Sequence, residues 1–172
     1  RVLIDVDPAE LTAEVVYQVG ALRAFAEAVG VRVAYVKPHG ALYNAVVHHE
    51  GQAAALVEAV RLLGDDLVAL GLPGSAWLRR AEEARIRCAT EGFADRAYTS
   101  RGTLVPRGDD GAVLSGPSIV TQALELAQGS VSSLCVHGDS PSAVDDARAV
   151  RDALTEAGVQ AECVDFIQDM AG

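Results

Sequence analysis

Several features are scarce or missing in this sequence of 172 residues, and each absence removes a class of protein. Aromatic residues make up only 5% of the chain, and no apolar run approaches the roughly 18 residues that a membrane-spanning helix needs. The net charge of −10 provides no basic surface, so neither nucleic acid nor an anionic membrane is expected as a partner. The spaced motifs HExxH and GxGxxG are also absent.

Cysteine is scarce as well, with three residues at wide spacing: Cys88, Cys135 and Cys163. An odd number of cysteines without a CxxC pair favours reduced thiols, which are usual in a reducing compartment. Because a free cysteine packs like a small apolar residue, we expect these thiols to be buried in the core. These observations predict a cytoplasmic protein.

Apolar residues make up half of the chain. Their spacing alternates along the sequence between that of a strand and that of a helix. Asp7 followed by Pro8 is typical of a helix start, and Gly30 of a helix end. Ser140 is expected to cap a helix that starts at Pro141. The pattern predicts one domain over residues 1–172, with helices at 8–30, 52–63, 75–84, 118–128 and 141–158 and parallel strands at 31–36, 67–70, 86–90, 132–136 and 159–166.

Three of the predicted strands run directly into polar, reactive side chains. The first leads to Lys37 and His39, another to residues 91–96, and a later one to His137 and Asp139. In open parallel sheets and in barrels, ligands bind at the carboxyl ends of the strands. We therefore expect these groups to converge at one edge, although they are far apart in sequence.

Lys37 and His39 lie two residues apart, so an extended backbone would place both side chains on one side. A cation beside an imidazole suits the binding of an anion next to a group that transfers protons. Asn44 follows in a loop shaped by Pro38 and Gly40. Each of these residues alone is also typical of an ordinary capping or solvated side chain.

His137 and Asp139 precede a helix start, where free N–H groups favour an anion. Asp139 has three possible roles, which are to orient a water or a histidine, to bind a metal, or simply to cap the helix. The long loop after residue 90 adds Arg96 and Arg107, whose planar guanidinium groups fit carboxylate or phosphate. An exposed pair of Asp95 with Arg96 is the alternative interpretation.

Three motifs in this order resemble those of the LamB/YcsF family: YVKPHGALYN at 35–44, EGFADRAYTSRGTLVPR at 91–107 and CVHGDSP at 135–141. The segment VVYQVGALRAFA at 15–26 is similar to a family helix, and the resemblance extends from about residue 7 to 164. It implies an α/β fold, a distorted (β/α) barrel of the glycoside hydrolase/deacetylase type. Family members carry a further stretch with early strands, so we expect this chain to be the carboxyl-terminal majority of such a barrel.

Family members are implicated in opening 5-oxo-L-proline to L-glutamate with ATP hydrolysis, as the A component beside B and C subunits. The resemblance therefore implies ATP as cofactor, a small lactam as substrate and those subunits as partners. It implies catalytic roles for Lys37, His39, His137 and Asp139. Binding of substrate or phosphate is expected at Asn44, Glu91, Asp95, Arg96, Tyr98 and Arg107.

A divalent metal ion held by His39, His137 and Asp139 is a further expectation. Such an ion could accompany the nucleotide. The main alternative is a metal-dependent amidase or deacetylase that acts without ATP, which a metal with three protein ligands and turnover without ATP would favour. A third alternative is a non-catalytic subunit that binds the lactam while partner subunits hold the catalytic groups.

Overall fold

The computed structural model describes residues 2–129 and 131–160. Helices and strands alternate over most of this length, and the strands that pair do so in parallel. The elements are α1 (Pro8–Ala28), β1 (Tyr35–Val36), α2 (Gly40–Ala45), α3 (Glu50–Leu63), β2 (Val68–Gly71), α4 (Ala76–Glu83), β3 (Cys88–Phe93), α5 (Pro117–Gln128), β4 (Ser133–Cys135) and α6 (Ala143–Glu156). The predicted α/β class is confirmed.

Helix α1 begins and ends where local sequence signals place it. The Asp7 carboxylate accepts the Ala9 N–H at 2.8 Å, and Pro8 needs no N–H partner in the first turn. Gly30 follows the helix at a φ of 74°, which glycine adopts without strain. One side of α1 packs against α3, whereas Phe25 on another side is 77% exposed.

The described residues up to Ala89 form one compact unit. In it β1 pairs in parallel with β2, with Tyr35 opposite Val68, and the Ala69 N–H donates to the Arg87 carbonyl just before β3. Helices α3 and α4 bury an apolar core around Trp77, whose indole N–H donates to the Leu70 carbonyl at 3.2 Å. The one polar group of this buried indole is therefore hydrogen-bonded.

The second compact unit begins at Thr90. The carboxyl-terminal half of β3 pairs in parallel with β4, and Phe93 lies opposite Cys135. Helices α5 and α6 pack against each other around Ile119, Ala123, Val150 and Leu154. The expectation of a single domain stays a prediction, since these contacts lie within each unit and do not test it.

The strands described number four, whereas a closed (β/α)₈ barrel has about eight. No helix among the described residues is long and apolar enough to span a membrane. Cys88 and Cys135 are free, as predicted, but both are only partly buried, and Cys163 lies outside the described residues.

Several details of the predicted elements are wrong, including the bounds of β3, predicted at 86–90 and observed at Cys88–Phe93. Strand β1 has two residues rather than six, because the Val31 N–H closes α1 by donating to the Ala26 carbonyl. Helix α2 was not predicted. Helix α6 begins at Ala143 instead of Pro141, with Ser142 at the N-cap position. The predicted strand at 159–166 falls mostly outside the described residues, and those that are described, Val159 and Gln160, are not in a strand.

Candidate functional site

The carboxyl end of β3 carries the buried acidic residue of the candidate site. Gly92 lies against α5, and a Cβ atom there would be 3.0 Å from Leu126 Cδ2. The Ala94 N–H then donates to the Cys135 carbonyl at 3.0 Å, which extends the pairing with β4 by one residue. Asp95 follows and is only 6% exposed. A buried carboxylate needs partners for its charge, and the segment after β4 supplies them.

His137, just after β4, is the partner of Asp95. Its Nδ1 lies 2.8 Å from Asp95 Oδ2 and 3.0 Å from Oδ1, and its backbone N–H donates to Oδ2 at 3.1 Å. Because a carboxylate only accepts hydrogen bonds, Nδ1 is the donor in this contact, and in the neutral imidazole this tautomer has its lone pair on Nε2. The structure therefore holds an imidazole with its tautomer and ring orientation fixed by a carboxylate.

Two aromatic residues complete the surroundings of this pair. The Phe93 ring stacks on the His137 ring with centroids 5.5 Å apart and planes inclined by 19°. The Tyr98 hydroxyl accepts the Phe93 N–H at 2.7 Å. Burial raises the pKa of Tyr98 above its ordinary value, so the phenol stays neutral. Phe93 therefore packs directly on the imidazole, and Tyr98 holds the backbone of Phe93 in place.

Gln122 on α5 holds the backbone on either side of Asp95. Its Nε2 lies 2.7 Å from the Phe93 carbonyl, 3.1 Å from that of Ala94 and 2.7 Å from that of Arg96. One amide group thus binds three carbonyls of the bend that follows β3. This residue was not predicted from the sequence, where the available signal was a glutamine one position before buried Ala123.

Asp139 pairs with Arg107 rather than with His137. Arg107 Nη2 donates to Asp139 Oδ1 at 2.6 Å, and this hydrogen bond lowers the pKa of Asp139 below its ordinary value. Arg107 Nη1 is buried and has no hydrogen-bond partner among the described residues. The residue that orients the histidine is therefore Asp95, and the guanidinium of Arg107 keeps one buried donor for a further group.

Arg96 is buried, and its side chain binds the loop rather than facing solvent. Its Nε donates to the Ala112 carbonyl at 3.1 Å and its Nη2 to the Val105 carbonyl at 2.6 Å. Short antiparallel bridges join Arg96 to Val113 and Tyr98 to Leu104. The alternative interpretation, an exposed pair of Asp95 with Arg96, is wrong, since both residues are 6% exposed.

Lys37, His39 and Asn44 belong to the first unit. The Lys37 ammonium lies 5.8 Å from the centroid of the Tyr43 ring, within the range of a cation–π contact. His39 takes the N-cap position of α2, but its side chain makes no capping hydrogen bond. Asn44 Nδ2 donates to the Gly40 carbonyl at 3.0 Å. The catalytic and binding roles assigned to these residues stay predictions.

The described residues contain no group of three or more His, Cys, Asp and Glu side chains arranged to hold a metal ion. Asp139 Oδ1 accepts from Arg107, and both oxygens of Asp95 face His137. The metal site predicted from His39, His137 and Asp139 stays a prediction. Glu91, also predicted to bind substrate or phosphate, is 2% exposed on β3.

A cavity of about 470 Å³ opens beside His137. Val136 and Gly138 line it from the β4 side, and α6 contributes Val144, Ala147 and Arg148. Its walls are largely apolar, with guanidinium groups at α6. A small organic molecule would fit next to the imidazole.

The fold and the site together define a class, an α/β protein with parallel strands and a carboxylate–histidine pair at the strand ends. The profile of the LamB/YcsF family matches residues 1–168. The chain belongs to the LamB/YcsF family.

Relatives in this family carry informative names. A protein of Streptomyces avermitilis, named as the A subunit of 5-oxoprolinase, is 55% identical over 93% of this chain and 70% of its own length. The protein of the same name from Streptomyces griseus is 56% identical over 91% of this chain and 68% of its own. The crystal structure of a lactam utilization protein from Thermus thermophilus matches with a TM-score of 0.87 and 35% identity, over 95% of this chain and 71% of that one.

Proposed function

We propose that this chain is the A subunit of an ATP-dependent 5-oxoprolinase, which opens 5-oxo-L-proline to L-glutamate together with B and C subunits. The observation that carries the proposal is the Asp95–His137 pair, whose geometry suits proton transfer in amide hydrolysis. The substrate is inferred from the names of the relatives, which are 55% and 56% identical to this chain. The free thiols of Cys88 and Cys135 support a cytoplasmic location.

The chemistry required is the addition of water to a lactam carbonyl and cleavage of the C–N bond. His137 Nε2 takes a proton from the attacking water while the water oxygen bonds to the carbonyl carbon. The same nitrogen then gives a proton to the ring nitrogen as the C–N bond breaks, which yields the free amine of glutamate. Asp95 stabilises the imidazolium between the two transfers.

ATP serves as a second substrate, because an unstrained amide is a poor electrophile and transfer of the γ-phosphoryl group to its oxygen, with ADP as the leaving group, makes attack by water feasible. Cleavage of the C–N bond then leaves an acyl phosphate, which a second water molecule hydrolyses to glutamate and phosphate. Arg107 is the residue best suited to an anionic group, since Nη1 is buried and without a hydrogen-bond partner in the described part of the chain. Its pairing with Asp139 fixes the guanidinium plane. We expect Arg107 to bind the carboxylate or the phosphate.

The test is glutamate release from 5-oxoproline by the full-length protein with its B and C subunits, with and without ATP. ATP-dependent release that His137→Gln abolishes and His48→Gln preserves would support the proposal. His48 is the matched control because it is exposed in the turn after α2. Full activity in His137→Gln would favour a non-catalytic binding subunit, and release without ATP would favour an unaided amidase.

A further inference from the structure

A second cavity lies in the first unit, at the amino ends of β2 and β3. It encloses about 350 Å³ between the last residues of α3, the end of α4 and the residue before β3. Lys37 follows the carboxyl end of β1, which is parallel to β2, so this cavity lies at the opposite edge of the strands. It is therefore separate from Lys37 and from the strand ends where that residue lies.

Three arginines line this cavity: Arg61 and Arg85, which are exposed, and the partly buried Arg87. A single carboxylate, that of Asp65, lines it with them. Elsewhere in the chain most arginines pair with acidic side chains, as Arg23 does with Asp66 at 2.5 Å. An excess of positive charge in one cavity is unexpected in a chain with a net charge of −10.

Two of these arginines, Arg61 and Arg85, have side-chain donors that other residues do not occupy. Arg87 Nη2 donates to the Asp66 carbonyl at 3.0 Å. The side chains of Arg61 and Arg85 make no hydrogen bond or ion pair with any residue in the part of the chain that the structure describes. Buried Leu67 forms an apolar wall beside them. An anion that enters could therefore bind Arg61 and Arg85 without displacing a protein partner from either side chain.

The backbone of Arg85 is in a conformation that its side chain does not favour. Its φ is 62°, in the left-handed region, where glycine is preferred. The bonds from the Arg85 N–H to the Glu82 carbonyl and from the Ile86 N–H to the Ala81 carbonyl form a Schellman motif at the end of α4. Helix termination alone would be better served by glycine.

The other two helices that end in the same motif do use glycine at this position. Gly30 follows α1 at a φ of 74°, and Gly158 follows α6 at a φ of 76°. Among the residues that the structure describes, Arg85 is the one non-glycine residue with a positive φ, and it lines the cavity. Strain of this kind is typical of functional positions. Attraction between a cation and a helix carboxyl terminus is one reason for a positive charge at Arg61 and Arg85. It does not account for the cavity or for the position of Arg87.

We propose that this cavity binds an oxyanion of the phosphate class. The planar guanidinium fork binds phosphate oxygens through two parallel N–H groups, and several forks around one anion provide both charge and orientation. Asp65 limits the affinity by repelling the ligand. The proposal does not depend on the function of the Asp95–His137 site.

The experiment is a titration of the purified full-length protein with inorganic phosphate. Binding is measured by calorimetry and by the change in the thermal unfolding temperature. A parallel titration with ATP separates free phosphate from the phosphate tail of a nucleotide. We compare Arg61→Gln, Arg85→Gly and Asp65→Asn with Arg101→Gln. The last is a matched control with the same loss of charge, at an exposed arginine in the second unit.

Saturable binding of phosphate is expected to weaken at least tenfold in Arg61→Gln and Arg85→Gly and to strengthen in Asp65→Asn. Arg85→Gly should also unfold at the same or a higher temperature than the parent without phosphate, because glycine relieves the strain. Binding of ATP alone, with the same pattern among the variants, would identify the ligand as the phosphate tail of a nucleotide. Absence of binding to both ligands, or affinity unchanged in Arg61→Gln and Arg85→Gly, would overturn the proposal.

Discussion

The carboxylate of Asp95 binds His137 through two different groups, the ring Nδ1 at 2.8 Å and the backbone N–H at 3.1 Å. The first contact sets the tautomer, and the second fixes the start of the segment that follows β4. The orientation of the imidazole is thus determined both at the ring and at the backbone of the same residue. Loss of either contact would leave the position of His137 Nε2 less well defined.

Asp95→Asn is expected to lower kcat/KM for glutamate release by about 10²- to 10⁴-fold, the range that general acid–base catalysis usually contributes. The amide keeps the volume and one acceptor for the His137 N–H, but it cannot stabilise an imidazolium. Steady-state assays of the complete complex measure this effect. Asp109→Asn, at an exposed position in the loop, is the control and should retain activity. Equal activities of the two variants would contradict the assigned role.

Gln122→Leu is expected to destabilise the protein by about 1–3 kcal/mol, because carbonyls of the bend lose their donor. Denaturant unfolding measures this change, and Gln128→Leu at the exposed end of α5 is the matched control. If Gln122 also positions Asp95, the pH profile of kcat should shift in the folded variant. A stability loss with an unchanged profile would indicate a purely structural role.

The carboxyl group of Asp139 is expected to titrate below its ordinary pKa of 3.8, because Arg107 favours the ionised form. The stabilisation from this ion pair is therefore present above the pKa of the unfolded chain and is lost as the pH falls through the lower pKa of the folded state. NMR titration of the carboxyl carbon measures this pKa. Arg107→Gln should return it towards 3.8, and an unchanged value in that variant would show that the pair is not formed in solution.

Cys88 is expected to react slowly with alkylating reagents in the native protein. Burial raises the pKa of its thiol to about 11, so the reactive thiolate is about one part in 10⁴ at pH 7. Unfolding should accelerate the reaction by roughly two orders of magnitude as that pKa returns to its ordinary value. Peptide-resolved mass spectrometry separates Cys88 from the other cysteines. Rapid labelling of the folded chain at Cys88 would be inconsistent with this burial.

Gly71→Ala is expected to destabilise the first unit by about 1–3 kcal/mol through overpacking. A Cβ atom at this position would lie 2.8 Å from Cδ1 of Trp77, and the ring is held by its bond to the Leu70 carbonyl. Fluorescence of this one tryptophan follows the unfolding directly. Gly20→Ala, in the middle of α1 with no atom within 4 Å of its Cβ, should instead stabilise the protein.

The sequence was informative where structure depends on near neighbours. Asp7, Pro8 and Gly30 define α1 through contacts within a few residues, and the structure confirms that helix. Alternation of strands and helices was likewise enough to predict parallel pairing. The start of α6 was wrong because the Ser142 hydroxyl donates to Asp146 rather than capping the backbone, and Asp146 also accepts the distant Gly116 N–H.

The partners within the candidate site required the structure. His137 was expected to act with Asp139, two residues away, yet Asp95 orients it. That choice depends on the register in which Phe93 lies opposite Cys135, which sets the two strand ends side by side. The contacts of Gln122 depend in turn on the rotation of α5. Strand register and helix rotation follow from packing of the whole unit, and no local pattern encodes them.

The loop after β3 is held mainly through main-chain atoms. Arg96 and Gln122 bind five carbonyls of the segment between Phe93 and Ala112, whereas Ser100 and Arg101 at its tip are exposed. Side chains at the tip can therefore diverge among relatives without altering the scaffold beneath them. Insertions or randomised residues at this tip are likewise expected to leave the bend after β3 and its hydrogen bonds intact.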